Sequence, residues 1–119
     1  MEIRSRDAAE PFVTADGSTI RSLLDRSVAP VANHSLAEAT LEAGGATVRH
    51  HHRVSEEFYY LVEGSGVMEV DGARREVAAG DAILIPPGAW HQLTAAASGP
   101  LRLLCTCSPP YSHEDTYFE

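Results

Sequence analysis

His50 and His52 stand two positions apart in the stretch Gly44–Gly64, GGATVRHHHRVSEEFYYLVEG, and Glu56 and Glu57 follow four and five residues after His52. Two imidazoles and a carboxylate are the donor types of a site for a borderline divalent metal ion. Whether they converge depends on the backbone. On a strand, residues i and i+2 share a face and lie roughly 6.7 Å apart. On a helix they diverge by about 200°. Only an extended backbone brings both rings to one ion.

The flanking residues favour the extended form. Thr47 and Val48 are β-branched, Gly44-Gly45 is a poor helix start, and Phe58-Tyr59-Tyr60-Leu61-Val62 is the strongest strand signal in the chain. His50 and His52 therefore belong to one strand with His51 on its opposite face, and the glutamates open the next. Val54 and Ser55 fall in the turn between. That turn resets the parity of the pattern, so periodicity leaves both Glu56 and Glu57 open as the inward carboxylate.

Gly44, His50, His52, Glu57 and Gly64 carry the spacing G-x5-H-x-H-x4-E-x6-G, and Gly80, Pro86, Gly88 and His91 carry G-x5-P-x-G-x2-H. In this order and spacing the chain resembles the cupin superfamily over Gly44 to His91. The resemblance implies a double-stranded β-helix, the jelly-roll barrel of cupins, and one divalent transition metal ion held by His50, His52, Glu57 and His91. It also selects Glu57 over Glu56. The second motif usually ends in Asn four residues past its His; here that position is Ala95, and a polar group near the site is missing. Three neutral nitrogens and one carboxylate, with no thiolate in the motif, suit Mn, Fe, Co, Ni, Cu or Zn. Four protein ligands on an octahedral ion leave two positions for a small molecule.

The whole chain is consistent with such a barrel. Its 119 residues, 44% hydrophobic and 22% charged, fit one domain with one core. A formal net charge of −8 argues against nucleic acid and anionic membrane surfaces as partners. All basic residues are arginine, which removes Schiff-base lysine chemistry, a lysine base and a P-loop. No signal-peptide h-region and no membrane-length apolar run is visible, so a cytoplasmic location is expected. Cys105 and Cys107, two apart on the last long strand, read as buried reduced thiols rather than a CxxC pair.

Taken in order, residues 1–34 are expected to hold a polar lead-in to Pro11, short strands around an Asp16-Gly17 turn, and a loop. Residues 35–108 form the core barrel and 109–119 a C-terminal tail, all within a single domain. Ser35 to Ala43 has helix-favouring composition but strand alternation, and the fold favours strand. Asp71-Gly72 marks a tight hairpin, Asp81 a turn, and Pro86-Pro87-Gly88 aims the strand on which His91 points inward. Many short strands punctuated by Gly and Pro describe an all-β barrel or sandwich.

The leading functional expectation is a small metal-dependent enzyme, of oxygenase-type or Lewis-acid chemistry, acting on a small oxygen-rich organic molecule. A non-catalytic module that binds or senses a small ligand is the alternative, and a sugar isomerase or epimerase a third, weakened by the missing lysine and phosphate site. Tyr59, two residues from Glu57, is the candidate proton or hydrogen-bond donor, with a packed aromatic as the favoured alternative, and Val67 or Met68 are further inward candidates near the metal. Arg49 and Arg53 flank the ligand strand and read first as solvated arginines, with attraction of an anionic substrate at the barrel mouth as the alternative; Glu56 is a candidate surface partner for Arg53. His51, His34 and His113 read as non-ligands. A homodimer is expected, since the resemblance implies it and a small sheet must protect its edges; Tyr111, Tyr117 and Phe118 are its candidate contacts.

Overall fold

The structure, a computed structural model, describes residues 1–119 and contains eleven strands and two short 3-10 turns. The strands are β1 (Phe12–Val13), β2 (Thr19–Leu24), β3 (Ser35–Leu41), β4 (His50–His52), β5 (Glu56–Glu63), β6 (Ser65–Val70), β7 (Ala73–Ala78), β8 (Ala82–Ile85), β9 (His91–Ala95), β10 (Leu101–Ser108) and β11 (Thr116–Phe118). They form two antiparallel sheets, one ordered β1-β2-β3-β10-β5-β8 and the other β11-β4-β9-β6-β7. This is the all-β jelly-roll expected from the two motifs. No helix is long and apolar enough to cross a membrane.

Alternation explains how the sheets close. Along β5, Glu57, Tyr59 and Leu61 are buried while Glu56, Phe58 and Tyr60 are exposed. Leu61 packs into the same core as Leu41, Ile85, Leu93, Leu101 and Leu103. Fully burying each such side chain contributes roughly 1.5–3 kcal/mol. In β3 the conflict between helical composition and alternation resolves as strand. The segment pairs with β2 on one side and β10 on the other, and the backbone bonds and burial of a central strand outweigh tenths of a kcal/mol in propensity.

Two glycines fix the turn from β5 into β6. Gly64 has φ +88°, and a Cβ there would stand 2.3 Å from the Pro100 carbonyl oxygen. At Gly66 a Cβ would stand 2.1 Å from the Thr94 carbonyl oxygen. Only glycine lets the β5–β6 backbone approach these neighbours so closely. The Asp71-Gly72 hairpin forms as expected, with both residues at positive φ.

Both ends of the chain are more engaged than a lead-in and a tail. Arg6, in a 3-10 turn, donates from Nε to both carboxylate oxygens of Glu38 at 3.0 and 3.1 Å. Arg102 adds a third contact at 3.3 Å. Glu38 is buried on β3, and these two guanidinium groups supply the partners a buried carboxylate needs. At the other end, residues 116–118 of the C-terminal tail form a strand: β11 pairs Thr116 with His52, Tyr117 with His51 and Phe118 with His50. A three-residue strand gives too short a pattern to read in sequence.

Candidate metal centre

Three strands, β4, β5 and β9, position the four motif residues. Alternation on β4 turns His50 and His52 inward, both buried, and leaves His51 half-buried on the outer face. There His51 stacks on Tyr117, with ring centroids 5.1 Å apart, and meets Trp90 edge-on. Pairing of β4 with β9 sets His50 directly opposite His91, whose side chain is fully buried. Glu57 comes from the facing sheet, at the start of β5. The turn after β4 ends with Ser55 buried and Glu56 exposed, so Glu57 is the carboxylate that faces in.

Metal-capable atoms of these four side chains all lie within 4.8 Å of one another. Glu57 Oε1 is 3.2 Å from His52 Nε2 and 3.3 Å from His91 Nε2. Neither approach has the angles of a hydrogen bond, and Glu57 Oε1 and His91 Nε2 are buried without a partner. Leaving such groups unpaired costs on the order of 1–3 kcal/mol each.

The other ring nitrogens explain why the Nε2 atoms are free. His50 Nδ1 lies 2.7 Å from the Val48 carbonyl oxygen and His91 Nδ1 lies 3.0 Å from that of Ala89. Carbonyl oxygens only accept, so both Nδ1 atoms carry the proton. Thr116 Oγ donates to the Ser112 carbonyl oxygen, which leaves its lone pairs for His52 Nδ1–H at 3.1 Å. All three rings thus aim an Nε2 lone pair at a carboxylate. Lone pairs facing lone pairs repel, and a cation among them removes the conflict. The donor set, the tautomers and the orphaned atoms fit a divalent transition metal.

When no ion is present, a proton on His52 eases the same repulsion. Burial alone raises the Glu57 carboxyl, but His52 and His91 outweigh it and hold the group at about 2, so it is ionised. Burial and the neighbouring His91 pull His50 down and keep it neutral. Burial also pulls on His52, which Glu57 more than offsets, so its net shift is upward.

His50, His52 and Glu57 line a cavity of about 420 Å³ between the sheets, together with Tyr59, Cys105 and Cys107. Burial first, then the charge of Glu57, raises Tyr59 and Cys105 well above their ordinary values and Cys107 as well. These groups keep their protons and can donate but not act as bases. Tyr59 is buried, its ring 6.0 Å from that of His91. Asp16, a further carboxylate on the lining, accepts from the Ser18 backbone N–H at 2.8 Å and hydroxyl at 2.6 Å.

Several sequence expectations need correction. Arg49 and Arg53 do not line the cavity. Arg49 donates to Glu69 at 2.7 Å, and its guanidinium carbon lies 5.4 Å from the Trp90 ring centre. Glu56 and Arg53 form no ion pair; the Arg53 backbone N–H bonds the Asp115 carbonyl oxygen. Met68 is packed in the core and neither it nor Val67 reaches the cavity, while Tyr111 and Phe118 help to line it. By contrast, His34 and His113, read as non-ligands, are exposed and stand outside the metal-capable group. Sequence reasoning missed Thr116 and Cys107. The signal for Cys107 was its inward parity on β10, which burial of Leu101 and Leu103 would have supplied.

The fold and this cluster define a cupin, and the chain belongs to that family: the sequence model described as "Cupin domain" matches residues 37–107. The chain is 46% identical over 110 residues to the uncharacterized protein MJ1618 of Methanocaldococcus jannaschii, covering 92% of this chain and 88% of that one. It is 28% identical over 93 residues to the tetracenomycin polyketide synthase protein TcmJ of Streptomyces glaucescens, covering 78% of this chain and 62% of that protein. Among solved structures, the polyketide cyclase RemF from Streptomyces resistomycificus superposes with a TM-score of 0.79 at 26% identity, covering 97% and 89% of the two chains.

Proposed function

We propose that this protein is a metal-dependent cupin enzyme whose substrate is a small, uncharged, largely apolar molecule bearing adjacent oxygens, such as a β-dicarbonyl. One observation carries the reading: four buried ligand atoms converge within 4.8 Å, three of their side chains on the wall of a 420 Å³ cavity. His50, His52, Glu57 and His91 would hold one divalent ion. Bound there, the ion would supply Lewis acidity toward a chelating pair of oxygens, or redox chemistry if it is Mn, Fe, Co or Cu.

The chain's own residues set the rest. Ile20, Leu41, Leu93, Leu103 and Phe118 line the cavity and favour an apolar body. Arg26 is the one arginine of the lining, against the carboxylates of Asp16, Asp25 and Glu114, so a phosphate or dicarboxylate is disfavoured, and with it the sugar isomerase reading. Tyr59 and Tyr111, whose rings lie 6.0 Å from those of His91 and His52, are the phenols of the lining that would offer a hydrogen bond or proton to a bound oxygen. The names of two relatives, a polyketide cyclase and a polyketide synthase protein, agree with a carbonyl-rich substrate.

The experiment is to load the protein with Co(II) and titrate benzoylacetone, oxalate and glucose 6-phosphate, following the visible spectrum and then the fate of each compound by mass spectrometry. Benzoylacetone binding at least about tenfold tighter than the others, followed by its conversion, supports the proposal. Tighter binding of oxalate or the sugar phosphate overturns the substrate class. The alternative, a binding module, has its support beside the metal-capable residues, where Tyr59, Cys105 and Cys107 all hold their protons. Bound benzoylacetone recovered unchanged, with Fe or Mn as well as Co, favours it.

We also infer a homodimer. On β5 the outward residues Phe58, Tyr60 and Val62 are apolar, and Leu84 stands beside Phe58 on β8. A strand apolar on both faces is normally covered on both. A solution mass of twice 12.8 kDa supports this; a mass of 12.8 kDa contradicts it.

A further inference from the structure

We propose that Cys107 is a positioning residue for Glu57: its thiol ties down one carboxylate oxygen so that the other alone is offered to the metal. The inference rests on the metal-site reading above and concerns how Glu57 is held within it. Strand register brings the pair together. Cys107 on β10 stands directly opposite Glu57 on β5, and both side chains point inward and are buried, at 4% and 5% exposure.

The two oxygens of Glu57 have different surroundings. The Cys107 S–H donates to Oε2 at 3.4 Å, an ordinary length for a bond with a sulfur donor. Oε1 has no hydrogen-bond partner and faces His52 and His91 Nε2 at 3.2 and 3.3 Å. A free carboxylate can bind an ion through both oxygens and fill two positions. Tied at Oε2, it fills one and leaves the other to a small molecule. The Cys107 S–H is committed to Oε2, so the sulfur acts as a donor and not as a fifth, thiolate ligand. Groups that orient a ligand in this way typically change metal affinity 10–100-fold when removed.

The test uses the full-length, metal-free chain titrated with Co(II) alone, comparing wild type with Cys107→Ser, Cys107→Val and Cys107→Ala. Serine keeps a donor; valine and alanine remove it with different volumes, so a packing fault in one is not mistaken for loss of the bond. Far-UV circular dichroism establishes that each variant is folded. The expected result is that valine and alanine weaken Co(II) binding about tenfold or more and shift its visible band, that serine restores both, and that no variant shows a near-UV sulfur-to-cobalt band. Wild-type affinity and spectrum in the valine and alanine variants would overturn the proposal, as would a sulfur-to-cobalt band in the wild type. In those cases Co(II) still binds and the metal site stands. A wild type that takes up no Co(II) defeats both.

Discussion

At the scale of single residues, the site is a set of paired commitments. Each histidine spends Nδ1 on an oxygen acceptor and Glu57 spends Oε2 on a thiol, so what remains, three Nε2 atoms and Oε1, points at one place. In the metal-free protein these groups make stability depend on pH. Glu57 sits at about 2 against an ordinary 4.5, so its contribution is complete above pH 4.5 and is lost as pH falls toward 2. The shift corresponds to on the order of 3 kcal/mol. His50, pulled down, adds stability above its ordinary 6.5; His52, pushed up, adds it below, and the two oppose each other in that range. We therefore expect the melting temperature of the metal-free wild type to drop steeply between pH 4.5 and 2.5. Glu57→Gln should flatten that limb. An equally steep fall in the variant would place the acid sensitivity elsewhere.

Secondary structure elements decide which of these residues could be read in advance. The ligand strand was legible because two histidines at i and i+2 make sense only on an extended chain, and the hairpin at Asp71-Gly72 because its turn chemistry is local. Glu57 could not be separated from Glu56 by periodicity; the spacing of the whole motif separated them, and a turn that buries Ser55 and exposes Glu56 explains why. Thr116 and Cys107 were not legible as partners because their roles come from register across strands 64 and 50 residues away in sequence. Arg49 misled because its partner, Glu69, is 20 residues distant. β11 supplies a prediction of its own. Through Thr116 it holds the tautomer of His52, so Thr116→Val should weaken metal binding about tenfold, with Thr116→Ser near wild type. Deleting residues 111–119 should weaken it further without changing the oligomeric state, because the proposed dimer face lies on the other sheet. Unchanged affinity in Thr116→Val would remove β11 from the site, and a halved mass on deletion would return the C-terminal aromatics to the dimer contact.

For the whole molecule, the two sheets are a device for bringing one carboxylate against three imidazoles. β4 and β9 carry the histidines, β5 in the opposite sheet carries Glu57, and the core of Leu61, Leu93, Leu101 and Leu103 fixes their separation. Ala95, where the motif usually has Asn, is buried in that core, so the departure substitutes packing for a polar group and leaves the four metal-capable side chains untouched. A barrel held by water and hydrogen bonds would show the same strands; what separates it from a metalloprotein is the ion itself. The most direct measurement is metal content by mass spectrometry on protein made without a histidine tag, for wild type, His50→Ala and His91→Ala. A transition metal near one per chain in the wild type, lost from both variants, is the predicted result. A wild type without metal that also fails to take up Mn, Fe, Co, Ni, Cu or Zn would contradict it.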